Sequence, residues 1–166
     1  MKKMLVVYYS WSCGNTERIA KKLSDTTGAD IERIETVKPY TGSYDDVVNQ
    51  GQQEVNSGYC PEIKPLKADL SKYDVIALGT PTWWYTMAPA MLTFIKNTSF
   101  EGKTVIPFQT DGGWPGHTIK DIKKLCKGAE TVCDMEIQFD STGGDKLVTD
   151  EKKINAWIDK VKSYIG

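Results

Sequence analysis

The chain reads as a single α/β domain, a three-layer sandwich of helices around a five-stranded parallel sheet. Three observations carry that reading. MLVVYY (residues 4–9) and YDVIALGT (residues 73–80) are short apolar runs with little alternation, as in strands buried on both faces. Around them lie segments with apolar residues at helical spacing. Strand and helix patterns take turns along all 166 residues, which calls for right-handed crossovers and helices on both sheet faces. One domain, residues 1–166, is expected at this length, burying about two thirds of its unfolded surface without a disulfide or metal staple.

Each element follows from local signals. The first helix starts near Thr16, turns Ile19, Ala20 and Leu23 inward and stops at Gly28. ADIERIE (29–35) is a weaker strand. Residues 39–65 are polar and rich in turn formers; Tyr44, Val47, Val48 and Val55 suggest one marginal helix interrupted at Gly51. Residues 88–97 form a helix with Pro89 in its first turn. KTVIPFQT (103–110) reads as a strand although Pro107 cannot donate to a ladder, so a bulge or a locally unpaired position is expected there. Ile119, Ile122 and Leu125 mark a further helix stopped by Gly128. Cys133, Met135, Ile137 and Phe139 alternate with polar residues, as in an edge strand. Ile154, Trp157, Ile158, Val161 and Ile165 define the last helix, about 150–165.

Bulk properties exclude several function classes. A net charge of −1 argues against a nucleic-acid partner. No apolar run has the length of a membrane span, and the first strand begins at once, so a cytoplasmic protein without a membrane partner is expected. Cys13, Cys60, Cys126 and Cys133 match neither a zinc nor a redox Cys-x-x-Cys spacing, and no metal is expected.

In such sheets ligands sit beyond the carboxyl ends of the strands. The loops there, after the first, third and fourth strands, are the three oddest stretches of the chain. In SWSCGNT the strand meets a helix N-terminus, where free N–H groups attract an anion. Ser10, Ser12, Asn15 and Thr16 add short polar side chains, Gly14 allows close approach, and no lysine is present. Taken alone, this loop reads as well as a plain helix cap. PTWWYT sets Trp83, Trp84 and Tyr85 side by side at a chain reversal, where large aromatics suit stacking on a flat ligand. DGGWPG offers backbone amides at Gly112 and Gly113 beside Trp114; His117, the only histidine, reads as a surface or capping residue. A phosphate cradle, an aromatic wall and a glycine-lined slot together describe a site for a mononucleotide with a planar ring.

CGNTER is similar to the phosphate loop of low-molecular-weight tyrosine phosphatases. Here four residues rather than five separate Cys13 from Arg18, and the general-acid Asp-Pro pair of that family does not occur. SWSCGNTERIA, GTPTWWYTMAPAMLTFI and TDGGWPG instead resemble, in order and across the whole chain, the three cofactor loops of the flavodoxin family. The resemblance implies a sheet in the order 2-1-3-4-5 and an FMN cofactor. Ser10, Ser12, Gly14, Asn15 and Thr16 would hold its phosphate, with Cys13 as a neighbour inside the loop. Pro81, Thr82, Trp83, Trp84 and Tyr85 would line its ring, and Thr110, Asp111, Gly112 and Gly113 the other edge. Many members have Gly directly after Ser-x-Ser, where Cys13 stands here. Electron transfer is the implied function, to a redox partner protein. An NAD(P)H-dependent quinone or flavin reductase using bound FMN is the alternative, with a small quinone or NAD(P)H as partner. Shuttle flavodoxins are strongly acidic, and this chain is nearly neutral. A flavin-free interaction module would leave the three loops without a purpose.

Overall fold

The computed structural model describes residues 1–166. Its parallel sheet has the order β2-β1-β3-β5, and the last position is shared by two short strands, β6 and β7, that both pair with β5. The strands are β1 (Met4–Tyr8), β2 (Asp30–Arg33), β3 (Val75–Trp83), β4 (Thr86–Met87), β5 (Thr104–Asp111), β6 (Glu130–Thr131) and β7 (Met135–Gln138). The helices are α1 (Asn15–Thr27), α2 (Tyr44–Ser57), α3 (Pro89–Lys96), α4 (Thr118–Leu125) and α5 (Glu151–Ile165). Five parallel positions in the order 2-1-3-4-5 are those expected; β4, an antiparallel partner of β3, is an addition.

The two faces of the sheet explain the apolar runs. Val6 and Ala77 face α1 and α5, packing with Leu23, Phe108, Trp157 and Val161. Leu5, Val7, Ile76 and Leu78 face the opposite way, onto Met91, Phe94 and Ile122. Successive residues of a strand point to opposite faces, so a strand covered on both must be apolar throughout.

Two departures have physical causes. Gly51 does not interrupt α2. It is buried there, and a Cβ on it would lie 3.1 Å from the Trp83 ring, so glycine lets the helix approach that ring. The expected edge strand is split. β6 pairs with Thr104 and Val105, and β7 with Phe108 to Asp111. The break falls on Ile106 and Pro107, and proline has no N–H for the ladder. The chain passes the break with Cys133 in the left-handed region (φ 55°).

Candidate functional site

The loop between β1 and α1 is a cradle of unpaired amides. None of the seven backbone N–H groups from Ser10 to Thr16 donates to an acceptor in the protein. Ser12 (φ 63°) and Gly14 (φ 74°) both lie in the left-handed region, which curls successive N–H groups into one concavity. No side chain caps α1 at Gly14. Ser10, which is buried, accepts from the N–H of Glu17 at 3.3 Å and so serves the helix rather than the cradle. Thr16, also buried, shares a 2.7 Å hydrogen bond with Thr110 at the end of β5, tying the first loop to the third.

A fourth loop, after β7, joins the three expected from the sequence and closes this cradle. Cys13 Sγ donates to the Gly143 carbonyl (3.4 Å), Asn15 Nδ2 to that of Gly144 (3.0 Å) and Arg18 to that of Asp145 (3.4 Å). Arg18 also lies 5.7 Å from the centre of the Phe139 ring. Its guanidinium is thus held against the fourth loop, in keeping with the spacing that excludes a phosphatase loop. The fourth loop is shaped by Asp140, whose carboxylate accepts from the N–H groups of Thr142, Gly144 and Lys146 and from the Thr142 hydroxyl. Those bonds, the Thr142 hydroxyl foremost, lower its pKa from the ordinary 3.8 to about 2. A carboxylate depressed in the folded state adds stability above its unfolded pKa and loses that contribution as pH falls through its folded pKa. The amides of Gly144 and Lys146 are therefore expected to keep their hydrogen-exchange protection at pH 5 and lose it progressively between about pH 4 and pH 2. An Asp140→Ala variant, which has no side-chain acceptor, should lack it at every pH.

The aromatic wall is a hairpin. β3 runs on through Pro81, Thr82 and Trp83, and turns back into β4 through Trp84 and Tyr85 alone. Both turn residues have positive φ, 51° and 70°, the pattern of a type I′ turn that Asn-Gly satisfies best. Each bulky residue held there costs about 1–3 kcal/mol, strain of the kind found at functional sites. The turn is seated on the third loop: the N–H of His117 donates to the Tyr85 carbonyl at 2.8 Å, and a Cβ on Gly116 would lie 2.1 Å from that oxygen. Trp83 sits edge-on to Tyr9, Trp11 and Tyr40, with centroids 5.1–6.2 Å apart. Trp84 donates its indole N–H to the Val48 carbonyl of α2 at 2.9 Å. His117 Nδ1 contacts the carboxylate of Asp121, which also accepts from Thr86 at 2.6 Å, so Asp121 ties α4 to the hairpin and the histidine holds that carboxylate.

On the third loop, Asp111 accepts from the Gly113 N–H at 2.8 Å and from Gln109 Nε2 at 3.2 Å. Gly112 passes close to the fourth loop, with its missing Cβ position 3.3 Å from the Asp140 carbonyl oxygen.

These loops enclose a cleft of about 290 Å³. Of the residues expected from the sequence, Ser12, Cys13, Asn15, Thr16, Pro81, Thr82, Trp83, Trp84, Thr110, Asp111 and Gly112 line it. Ser10, Gly14, Tyr85 and Gly113 do not; Tyr85 opens instead onto a neighbouring cavity with Trp114. Trp11, Tyr44 and Val48 also line the cleft, as do Asp140, Gly143 and Gly144. The Gly-Gly pair after the last strand was the signal that could have pointed to the fourth loop. The lining holds two carboxylates, Asp111 and Asp140, and no lysine, arginine or histidine. An anion at this site would be held by backbone amides and hydroxyls.

Comparison with known proteins agrees with this geometry. A family model described as flavodoxin matches residues 3–161. A protein from Bacteroides eggerthii assigned as a flavoprotein superposes with a TM-score of 0.78 at 32% identity, covering 97% of this chain and 98% of that one. A flavoprotein of Lactobacillus acidophilus solved in complex with FMN gives 0.71 at 21% identity, covering 95% and 99%. Flavodoxin 1 of Escherichia coli K12 is 26% identical over 106 residues, which are 61% of this chain and 46% of that protein, so the match spans less than half of this curated relative. No helix is long and apolar enough to cross a membrane. The match along nearly the whole chain, together with the sheet order and the three loops, shows that this protein belongs to the flavodoxin family.

Proposed function

We propose that the cleft binds FMN and that the protein transfers electrons through it. The observation that carries this reading is the run of unpaired amides from Ser10 to Thr16, wound at the N-terminus of α1 beside an aromatic-walled cleft. Those amides, with the hydroxyls of Ser12 and Thr16, would hold the phosphate. Pro81, Thr82, Trp83 and Trp84 on one side and Thr110, Asp111 and Gly112 on the other would hold the ring. Asn15 and Cys13 act by fastening the fourth loop over the cradle, and Gly14 gives the curl its left-handed step. Ser10 caps α1 from below. Bound FMN would supply the one- and two-electron chemistry. The carboxylates of Asp111 and Asp140 place negative charge along the cleft and disfavour further negative charge on a bound ring.

The four cysteines are free thiols, which fits the cytoplasm proposed for it. Cys13 is exposed, and serine could replace its hydrogen bond to Gly143. A Cys13→Ser variant is expected to bind FMN within about threefold of the wild type in a fluorescence titration. Loss of binding with the fold intact would assign Cys13 to the cradle itself.

A reductase remains the second reading, favoured by the net charge of −1 and by aromatics exposed at the mouth of the cleft. Steady oxidation of NAD(P)H in the presence of a quinone and no partner protein would establish it. A reductive titration resolved into two one-electron steps, without such turnover, would establish the electron carrier.

A further inference from the structure

Beside the cleft lies a second cavity of about 260 Å³, walled by Trp84, Tyr85, Trp114 and Tyr44. Tyr44, Thr82, Trp84, Asp111, Gly112 and Gly143 line both, so the two spaces share a wall. The aromatics here lie open: Trp84 is 37%, Tyr44 52%, Tyr85 53% and Trp114 59% exposed. Trp84 is fastened to α2 by its indole N–H and Tyr44 stacks on Trp11, but the most exposed pair, Tyr85 and Trp114, is not explained by packing, and at Tyr85 the backbone opposes a bulky residue, because it sits in the left-handed region that glycine prefers. Asp111 is the one charged residue in the lining. The phosphate groups of a nicotinamide dinucleotide would be repelled by Asp111, whereas a neutral flat molecule would meet aromatic faces on several sides.

We propose that this outer cavity binds an uncharged, planar aromatic molecule of quinone type, stacked on Trp114 and Tyr85 at the edge of the FMN cleft. The proposal rests on the FMN reading for its place in electron transfer, but the stacking itself depends on Tyr85 and Trp114, which line the outer cavity alone. Trp114 and Tyr85 lie outside the cleft that would hold FMN, so the two sites can be separated by mutation.

The test is equilibrium dialysis of the oxidised, FMN-loaded protein with two thiol-inert probes of the same width, neutral 2-(hydroxymethyl)anthraquinone and anionic anthraquinone-2-sulfonate. FMN affinity is measured in parallel. The neutral probe should bind at least about tenfold more tightly than the sulfonate. Trp114→Ala and Tyr85→Gly should each weaken the neutral probe by about tenfold while FMN affinity changes less than about threefold. Tyr85→Gly also relieves the turn, so its loss of binding would not reflect misfolding. Four results overturn the proposal: equal or tighter binding of the sulfonate, unchanged probe binding in both variants, loss of FMN together with the probe, or a dimer that Trp114→Ala converts to a monomer. The third would assign these side chains to the flavin ring, and the fourth to a second copy of the chain. Failure of the wild type to bind FMN at all would refute the functional reading; probe binding measured without FMN would still decide the outer site.

Discussion

A Gly116→Ala variant is expected to bind FMN at least about tenfold more weakly than the wild type and to lose about 2–4 kcal/mol of stability. Gly116 has φ 58°, and a Cβ there would lie 2.1 Å from the carbonyl oxygen of Tyr85 and 2.5 Å from its Cα. The obstructing atoms are backbone, so no rotamer change relieves the clash. Either the third loop moves or the hairpin turn does, and the turn carries Trp84, which lines the cleft. Asparagine tolerates the left-handed region yet carries the same Cβ, so Gly116→Asn separates the causes. If crowding governs, it weakens FMN as much as alanine does; if backbone conformation governs, it restores most of the affinity. A urea melt and a fluorescence titration read the two effects.

Thr16→Val is expected to weaken FMN by about tenfold to a hundredfold, because it removes a hydroxyl at the helix end and leaves another unpaired. Thr16 is 1% exposed and its hydroxyl lies 2.7 Å from that of Thr110, itself 4% exposed. Valine keeps the shape but strips Thr110 of its partner, at about 1–3 kcal/mol for a buried polar group left unsatisfied. Replacing both partners by valine removes that penalty, so the double variant should regain much of the stability without regaining FMN affinity. Parallel recovery of both would mean that Thr16 acts only through the fold.

The parts of this site that the sequence showed are those written in local signals. Residues 4–9 and 73–80 are apolar runs, and Gly14, Gly112 and Gly113 with their polar neighbours stand out at strand ends. The hairpin did not show because Trp84-Tyr85 is the reverse of what a type I′ turn selects; only the register of Thr82 with Met87 reveals it. Gly51 reads as a helix breaker until the Trp83 ring is seen against it. Asp140 to Gly144 looks like an ordinary polar turn. Its part in the cradle rests on bonds from Cys13 and Asn15 that span 130 and 129 residues, which no local pattern encodes. The family resemblance puts Tyr85 on the ring together with Trp84; in the structure Tyr85 lines the outer cavity and Trp84 lines both.

On the proposed reading, unpaired backbone amides at α1 hold the phosphate of FMN. Titrating the purified protein with FMN and, separately, with riboflavin, which has the same ring and no phosphate, tests it most directly. Saturable one-to-one binding of FMN below the micromolar range is expected, with riboflavin at least about a hundredfold weaker. Equal affinity for the two, or no FMN binding below micromolar, would show that the amides do not hold the phosphate.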